Sequence, residues 1–155
     1  MNLFWHWGLL LMNVQSILGV KGSEVATTTQ TATLADAVSE LGERRIGALV
    51  VSGDGRAIEG IISERDIVRA AALGGGDALA RSVGSVMSTD VVTCTVGDGV
   101  DRLMALMTER RIRHLPVVDE GGRLSGIISI GDVVKARLTE LEQENQALAH
   151  YISGH

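Results

Sequence analysis

Two short stretches of the sequence place a hydroxyl three residues ahead of a carboxylate: Ser63-Glu64-Arg65-Asp66 and Ser129-Ile130-Gly131-Asp132. Two chemistries fit that spacing. At a helix start, the Ser oxygen accepts from the third backbone N–H while the Asp reaches back to the Ser amide, which is the capping box. The same groups can instead hold a ligand. A carboxylate takes strong charge-assisted hydrogen bonds from a sugar diol, and a helix N-terminus favours an anion through its amides and dipole. Repetition does not choose between them, since a duplicated helix needs two caps. Other groups could serve an anion too. Arg113 offers a bidentate fork and His114 a titratable donor, although a structural hydrogen bond on a strand also explains His114. Arg65 fits either a phosphate contact or a solvated helix face.

Other chemistries find little support. Cys94 has no base nearby in the sequence, and neither a nucleophile elbow nor a P-loop occurs. A non-enzymatic protein is expected. No Cys/His spacing suits zinc, so no metal is expected, and a single cysteine forms no internal disulfide, which points to a reducing compartment, the cytoplasm. A formal charge of −5 and only 3% aromatic residues argue against nucleic acid. The apolar run from Leu3 to Leu11 is too short to span a bilayer and has no Lys or Arg before it. No integral membrane segment is expected. Residues 1–13 read as an N-terminal extension, the part ahead of Met12 either as an addition outside the native fold or as a membrane-surface anchor.

The elements that must position these groups follow from an internal repeat. A shift of 66 positions lays Val25–Val68 on Val91–Val134 without a gap, with Glu43-Arg44-Arg45-Ile46 returning as Glu109-Arg110-Arg111-Ile112. Gly60-Ile61-Ile62-Ser63 likewise returns as Gly126-Ile127-Ile128-Ser129. Within each copy, Thr33 with Asp36 and Asp98 with Asp101 predict N-caps. Leu34, Val38 and Leu41, or Val100, Leu103, Met104 and Met107, then give the apolar stripe of a helix. Arg44-Arg45 and Arg110-Arg111 fall at the helix end, where cations suit the dipole.

Two short strands follow, Ala48–Val51 and Ile58–Ile62, matched by His114–Val118 and Leu124–Ile128, each pair joined by a glycine-bearing turn. A second helix opens at each Ser-x-x-Asp. Pro116 inside a strand predicts an edge, a strand start or a nearby bulge, and with it an irregular, accessible position. Gly74-Gly75-Gly76 marks a linker. Val14, Ile17 and Leu18 echo Val83, Val86 and Met87, so a leading segment precedes each copy. The expected domains are 14–73 and 83–138, joined by 74–82 and followed by a helical tail over 139–155.

The run Ile112-Arg113-His114-Leu115-Pro116-Val117-Val118-Asp119 with Gly126-Ile127-Ile128-Ser129-Ile130-Gly131-Asp132-Val133-Val134 resembles the core of a cystathionine β-synthase (CBS) type domain. The first copy looks like the same domain in degenerate form, and the resemblance covers about Val14 to Leu138. It implies an α/β fold of two β-α-β-β-α repeats packed with pseudo-two-fold symmetry, a Bateman module, plus the C-terminal helix. It further implies a homodimer, and a cleft between the repeats that binds AMP, ADP, ATP or NAD(H), with S-adenosylmethionine ranked behind them. No cofactor is required. Ser63 with Asp66 and Ser129 with Asp132 would meet ribose and phosphate, Arg113 and His114 would meet phosphate, and Arg65 could assist the first cleft. Val92, Thr93 and Thr95, with Thr27 and Thr29, would line the adenine through their backbone. Because the first copy has Gly47 and Ala48 where the second has Arg113 and His114, the sites should be unequal. The partners implied are an adenine nucleotide and an unidentified regulated protein. A ligand-free scaffold with vestigial clefts is the alternative.

Beyond Val134, Leu138, Leu141, Asn145, Leu148 and Ile152 alternate at three and four residues, a heptad seam with one Asn at an a-type position. Pairing of this helix in a dimer and packing on its own module are both open.

Overall fold

The computed structural model describes residues 11–154, so the apolar run is outside the described residues as far as residue 10. In chain order the elements are α1 (Val14–Lys21), β1 (Thr27–Thr28), α2 (Leu34–Arg44), β2 (Ala48–Val51), β3 (Gly60–Ser63), α3 (Glu64–Gly74), α4 (Val100–Arg110), β4 (His114–Val118), β5 (Leu124–Ser129) and α5 (Ile130–Ser153). They form two compact units that do not follow chain order. Residues 24–93 and 118–125 make one. The described residues up to Ser23, with 94–117 and those from Gly126 onward, make the other.

Each leading segment is therefore housed with the opposite repeat. In the unit of the first repeat, β2 pairs parallel to β1 and antiparallel to β3, with Ala48 opposite Ser63 and Thr27 opposite Val50. Thr33 caps α2 in a full capping box with Asp36. Ser82 bridges to Thr33, with the Leu34 amide donating to the Arg81 carbonyl at 2.9 Å, so residues 81–83 cover the start of α2. The core collects Leu34, Ala37, Leu41, Leu49, Val51, Ile62, Ile67, Ala70 and Val83. Ala37, not the expected Val38, completes the helix stripe; Val38 is 43% exposed. The expected linker is ordered as well. It forms a 3-10 helix over Gly75–Ala80 in which Ala78 is buried, because Gly75 (φ 67°) turns the chain back onto the unit.

The unit of the second repeat repeats this plan with α1 in the place of residues 83–87. Asn13 bridges to Gly99, and the Val14 amide donates to the Asp98 carbonyl at 2.9 Å. Each of these nine residues has a buried counterpart here: Val100, Leu103, Met107, Leu115, Val117, Ile128, Val133 and Ala136 at the repeat spacing and, from α1, Val14 in the place of Val83. The expected N-cap at Asp98 is one residue off. Gly99 holds the cap position without a side-chain bond, while the Asp98 carboxylate accepts from the Thr95 amide at 2.9 Å and pairs with Arg102.

The strand ahead of α4 shrinks to a single parallel bridge between Cys94 and Val117, with Cys94 N–H donating to the Pro116 carbonyl at 3.0 Å. The cause is local. Val50 donates a ladder bond to Ala26 in the first repeat, and Pro116 has no N–H to do the same. Pro116 is buried within β4 rather than accessible, which corrects the sequence-based expectation. Its ring is buried while its missing donor shortens the pairing. β4 and β5 pair as a two-stranded sheet. Arg45 and Arg111 end their helices in the left-handed conformation (φ 55°), so both arginine pairs do occupy helix ends.

Candidate functional site

The chemistry-bearing residues converge on the N-terminus of α5. Its first amide, from Ile130, donates to the Arg113 carbonyl at 2.8 Å, which fixes the start of β4, and hence Arg113 and His114, beside the mouth of the helix. Ser129 and Asp132 form a complete capping box there. The Asp132 amide donates to Ser129 Oγ at 3.2 Å, and Asp132 Oδ2 accepts from the Ser129 amide at 2.9 Å. Arg113 is exposed and His114 half-buried.

A fifth group completes the cluster, and the sequence did not reveal it. Lys21, the last residue of α1, donates from Nζ to Asp132 Oδ2 at 2.7 Å and to the Ile127 carbonyl at 2.9 Å. Burial raises the Asp132 pKa, but the hydrogen bond and charge of Lys21, with the bonds from Ser129, outweigh it. The carboxyl is held below its ordinary range. Asp132 is thus an anion with an internal cation on one oxygen. The only hint in the sequence is that Lys21 stands three residues after Leu18, where Asp90 follows Met87 in the other leading segment.

The mouth of α3 is built alike from different residues. Its first amide, from Glu64, donates to the Gly47 carbonyl at 3.0 Å. Ser63 and Asp66 form the capping box, with Asp66 Oδ2 accepting from the Ser63 amide at 2.8 Å and from Ser63 Oγ at 3.0 Å. Gly47 and Ala48 stand where the second repeat has Arg113 and His114, but exposed Arg65 stands in the helix's first turn, where α5 has Gly131. Behind this mouth, Val38, Leu41, Gly42, Arg45, Ile46, Gly47, Glu64, Ile67 and Val68 line an open groove of about 690 Å³ between α2 and α3.

The structure brings Arg113, His114, Ser129 and Asp132 together, and Ser63, Arg65 and Asp66 likewise. It does not bring Thr29 or Thr95 to these mouths. Thr28 is opposite Val51 and Cys94 opposite Val117, so each Thr follows at the far end of β2 or β4. At roughly 3.3 Å per residue, that is on the order of 10 Å from the strand start. The Thr95 amide is also taken by Asp98, and the Thr29 hydroxyl shares a 3.3 Å hydrogen bond with that of Thr31. Thr27 is half-buried within β1, Val92 half-buried, and Thr93 exposed. Cys94 is buried, and burial together with the Asp98 charge pushes its thiol up to about 12, which leaves it inert as a nucleophile. Among the described residues no cluster of His, Cys, Asp and Glu could hold a metal ion, and no helix is long and apolar enough to cross a membrane.

Comparison with known proteins returns one domain twice. The sequence profile of the CBS domain matches residues 20–73 and 83–139. The chain is 41% identical over 126 residues to the mitochondrial CBS domain-containing protein CBSX3 of Arabidopsis thaliana, over 79% of this chain and 61% of that protein. It thus spans less than two thirds of that relative. The crystal structure of the CBS-domain containing protein ATU1752 from Agrobacterium tumefaciens superposes with a TM-score of 0.77 at 45% identity, covering 81% of this chain and 92% of that one. The CBS domain protein PAE2072 from Pyrobaculum aerophilum, solved in complex with AMP, superposes with a TM-score of 0.73 at 27% identity, over 86% and 99% of the two chains.

Proposed function

The chain belongs to the CBS domain family as a tandem pair, and on that premise we propose that it is a non-enzymatic regulatory module. It binds an adenine nucleotide, AMP, ADP, ATP or NAD(H), and passes the ligand's presence to a partner protein. The observation that carries this reading is the bond from the Ile130 amide to the Arg113 carbonyl. It sets Arg113 beside a helix N-terminus whose first turn carries a carboxylate, so a guanidinium reaching into that mouth would meet phosphate while the carboxylate meets sugar hydroxyls. The AMP-bound relative PAE2072 supports the ligand class. Signalling requires that the partner-competent and incompetent states differ in affinity for the nucleotide. A reducing compartment, the cytoplasm, suits a chain with one cysteine.

A second reading, a ligand-free scaffold, is favoured by one observation: both Ser-x-x-Asp pairs are already engaged as caps, and Lys21 already occupies an oxygen of Asp132. Titration calorimetry with AMP, ATP, NADH and S-adenosylmethionine separates the two. The regulatory reading expects heat with at least one of them. It also expects Arg113→Ala to weaken a phosphate-bearing ligand about 10- to 100-fold, the worth of a charged hydrogen bond, and adenosine far less. Silence with all four ligands, in heat and in thermal shift, leaves the scaffold.

A further inference from the structure

Helix α5 has two faces with different fates. Val133, Ala136 and Glu140 turn inward and are buried; Glu140 accepts from the Met12 amide at 2.7 Å and from Arg137 at 3.2 Å. The outward face carries Val134, Leu138, Leu141, Leu148 and Ile152, which are 45%, 61%, 39%, 55% and 75% exposed. Those residues, with Asn145, are the heptad seam. The helix therefore packs on its own unit through the face opposite the seam, which settles how it meets that unit and leaves the seam uncovered by the described residues. From Leu141 onward every described residue is exposed. A helical segment of about thirteen residues that no described residue packs against is marginal in water, so its last turns would gain stability from a partner along the seam.

We propose that the outward face of α5 is the seam of a parallel two-stranded coiled coil with a second copy of this chain. Three features select that occupant and that direction. The alternating three- and four-residue spacing from Val134 to Ile152 is the register that a second identical helix fills by knobs-into-holes packing. Asn145 is at an a-type position, which faces its own counterpart in a parallel pair, so the two amides bond to each other. In an antiparallel pair the amide would face a leucine and be left buried without a partner. Charge is complementary in the same direction: Arg137 at a g-type position comes opposite Glu142 of the partner subunit, five residues on at an e-type position. Arg137 already meets Asp101 and Glu140 through Nη1, and a guanidinium has five donors, enough for both.

Engineered cysteines test the pairing. Asn145 and Gln143 are both exposed, so the fold survives their replacement, and Cys94 is buried and protonated, so a new thiol reacts alone. In a parallel pair the Cα atoms of facing a-type positions fall within the roughly 4.4–6.8 Å that a disulfide spans, whereas positions on the face opposite the seam, such as 143, do not. Full-length Asn145→Cys should therefore crosslink to a covalent dimer under mild oxidation at least tenfold faster than Gln143→Cys. Leu141→Asp with Leu148→Asp in the Asn145→Cys background should abolish the crosslink while the amide NMR signals of residues outside the tail are kept. Equal crosslinking at 143 and 145, none at 145, or a crosslink that survives the two aspartates overturns the parallel seam.

Discussion

The mouths of α3 and α5 share a backbone plan and differ in their charges. In each, the first helix amide bonds to the carbonyl ahead of a strand, Gly47 or Arg113, and a Ser–Asp capping box closes the turn. Around α5 the cations come from the strand start and from α1, as Arg113 and Lys21; around α3 the cation comes from the helix itself, as Arg65, with glycine and alanine at the strand start. Packing explains what was kept. Nine buried positions correspond between the repeats because each must fill the same space, and the caps correspond because both helix starts need them. Positions at the rim face water, where substitution costs little stability. A duplicated fold can thus diverge in charge without disturbing its frame.

The largest test of that equivalence concerns two matched glycines. A Cβ on Gly60 would lie 2.8 Å from the Ser88 carbonyl oxygen and 2.6 Å from Met87 Sδ; the nearest atoms to one on Gly126 would be those of the Leu18 side chain, its methyl ends at 2.9 Å and 3.0 Å. Backbone cannot yield as a flexible side chain can. Gly60→Ala should therefore cost about 2–3 kcal/mol by overpacking and Gly126→Ala less than about 1 kcal/mol, read from urea unfolding. Equal losses would show that the leading segments do not approach the two repeats differently.

A smaller effect comes from the caps. Ser63→Ala and Ser129→Ala should each lose about 1 kcal/mol, the usual worth of an N-cap. If the α5 mouth is the better ligand site, Ser129→Ala should also weaken the nucleotide heat more than Ser63→Ala does. Equal stability losses with no change in binding would reduce both motifs to caps.

The smallest effect is the pH dependence of the Lys21–Asp132 pair, which has no counterpart among the bonds of Asp66. With its folded pKa depressed, Asp132 contributes stability that is present above the ordinary carboxylate range and lost as pH falls through the folded value. Lys21→Met lets that value rise, so acid unfolding should begin at a higher pH than in the wild type. At neutral pH the loss should stay at a few tenths of a kcal/mol, roughly, because both side chains are partly exposed. A carboxyl titration of Asp132 by NMR that is the same in both proteins would dissociate the ammonium from the shift.

Much of the frame was legible before the structure. The 66-residue repeat, the helix at each Ser-x-x-Asp, the cap at Thr33 and the arginine-terminated helices are local patterns, and local hydrogen bonds realise them. The misreadings have local causes as well. Asp98 resembled a cap because an acid stands three residues on, yet its carboxylate is drawn to the Thr95 amide. Val38 fitted the apolar spacing as well as Ala37, and periodicity alone cannot choose between adjacent positions on a helix face. Pro116 was expected to be accessible because proline lacks a donor, but losing one ladder bond is compatible with burying the ring.

By itself, then, the sequence determined the duplication, the elements and the Ser-x-x-Asp, Arg113 and His114 groups, because periodicity, caps and turns act over a few residues. Only the tertiary structure decided which leading segment serves which repeat, which face of α5 is spent on its own unit, and that Lys21 sits on Asp132 across 111 positions of chain. Such contacts carry no local signature. They are chosen by how the buried surfaces of distant segments fit, and the charged groups at the rim follow the backbone to wherever that packing leaves them.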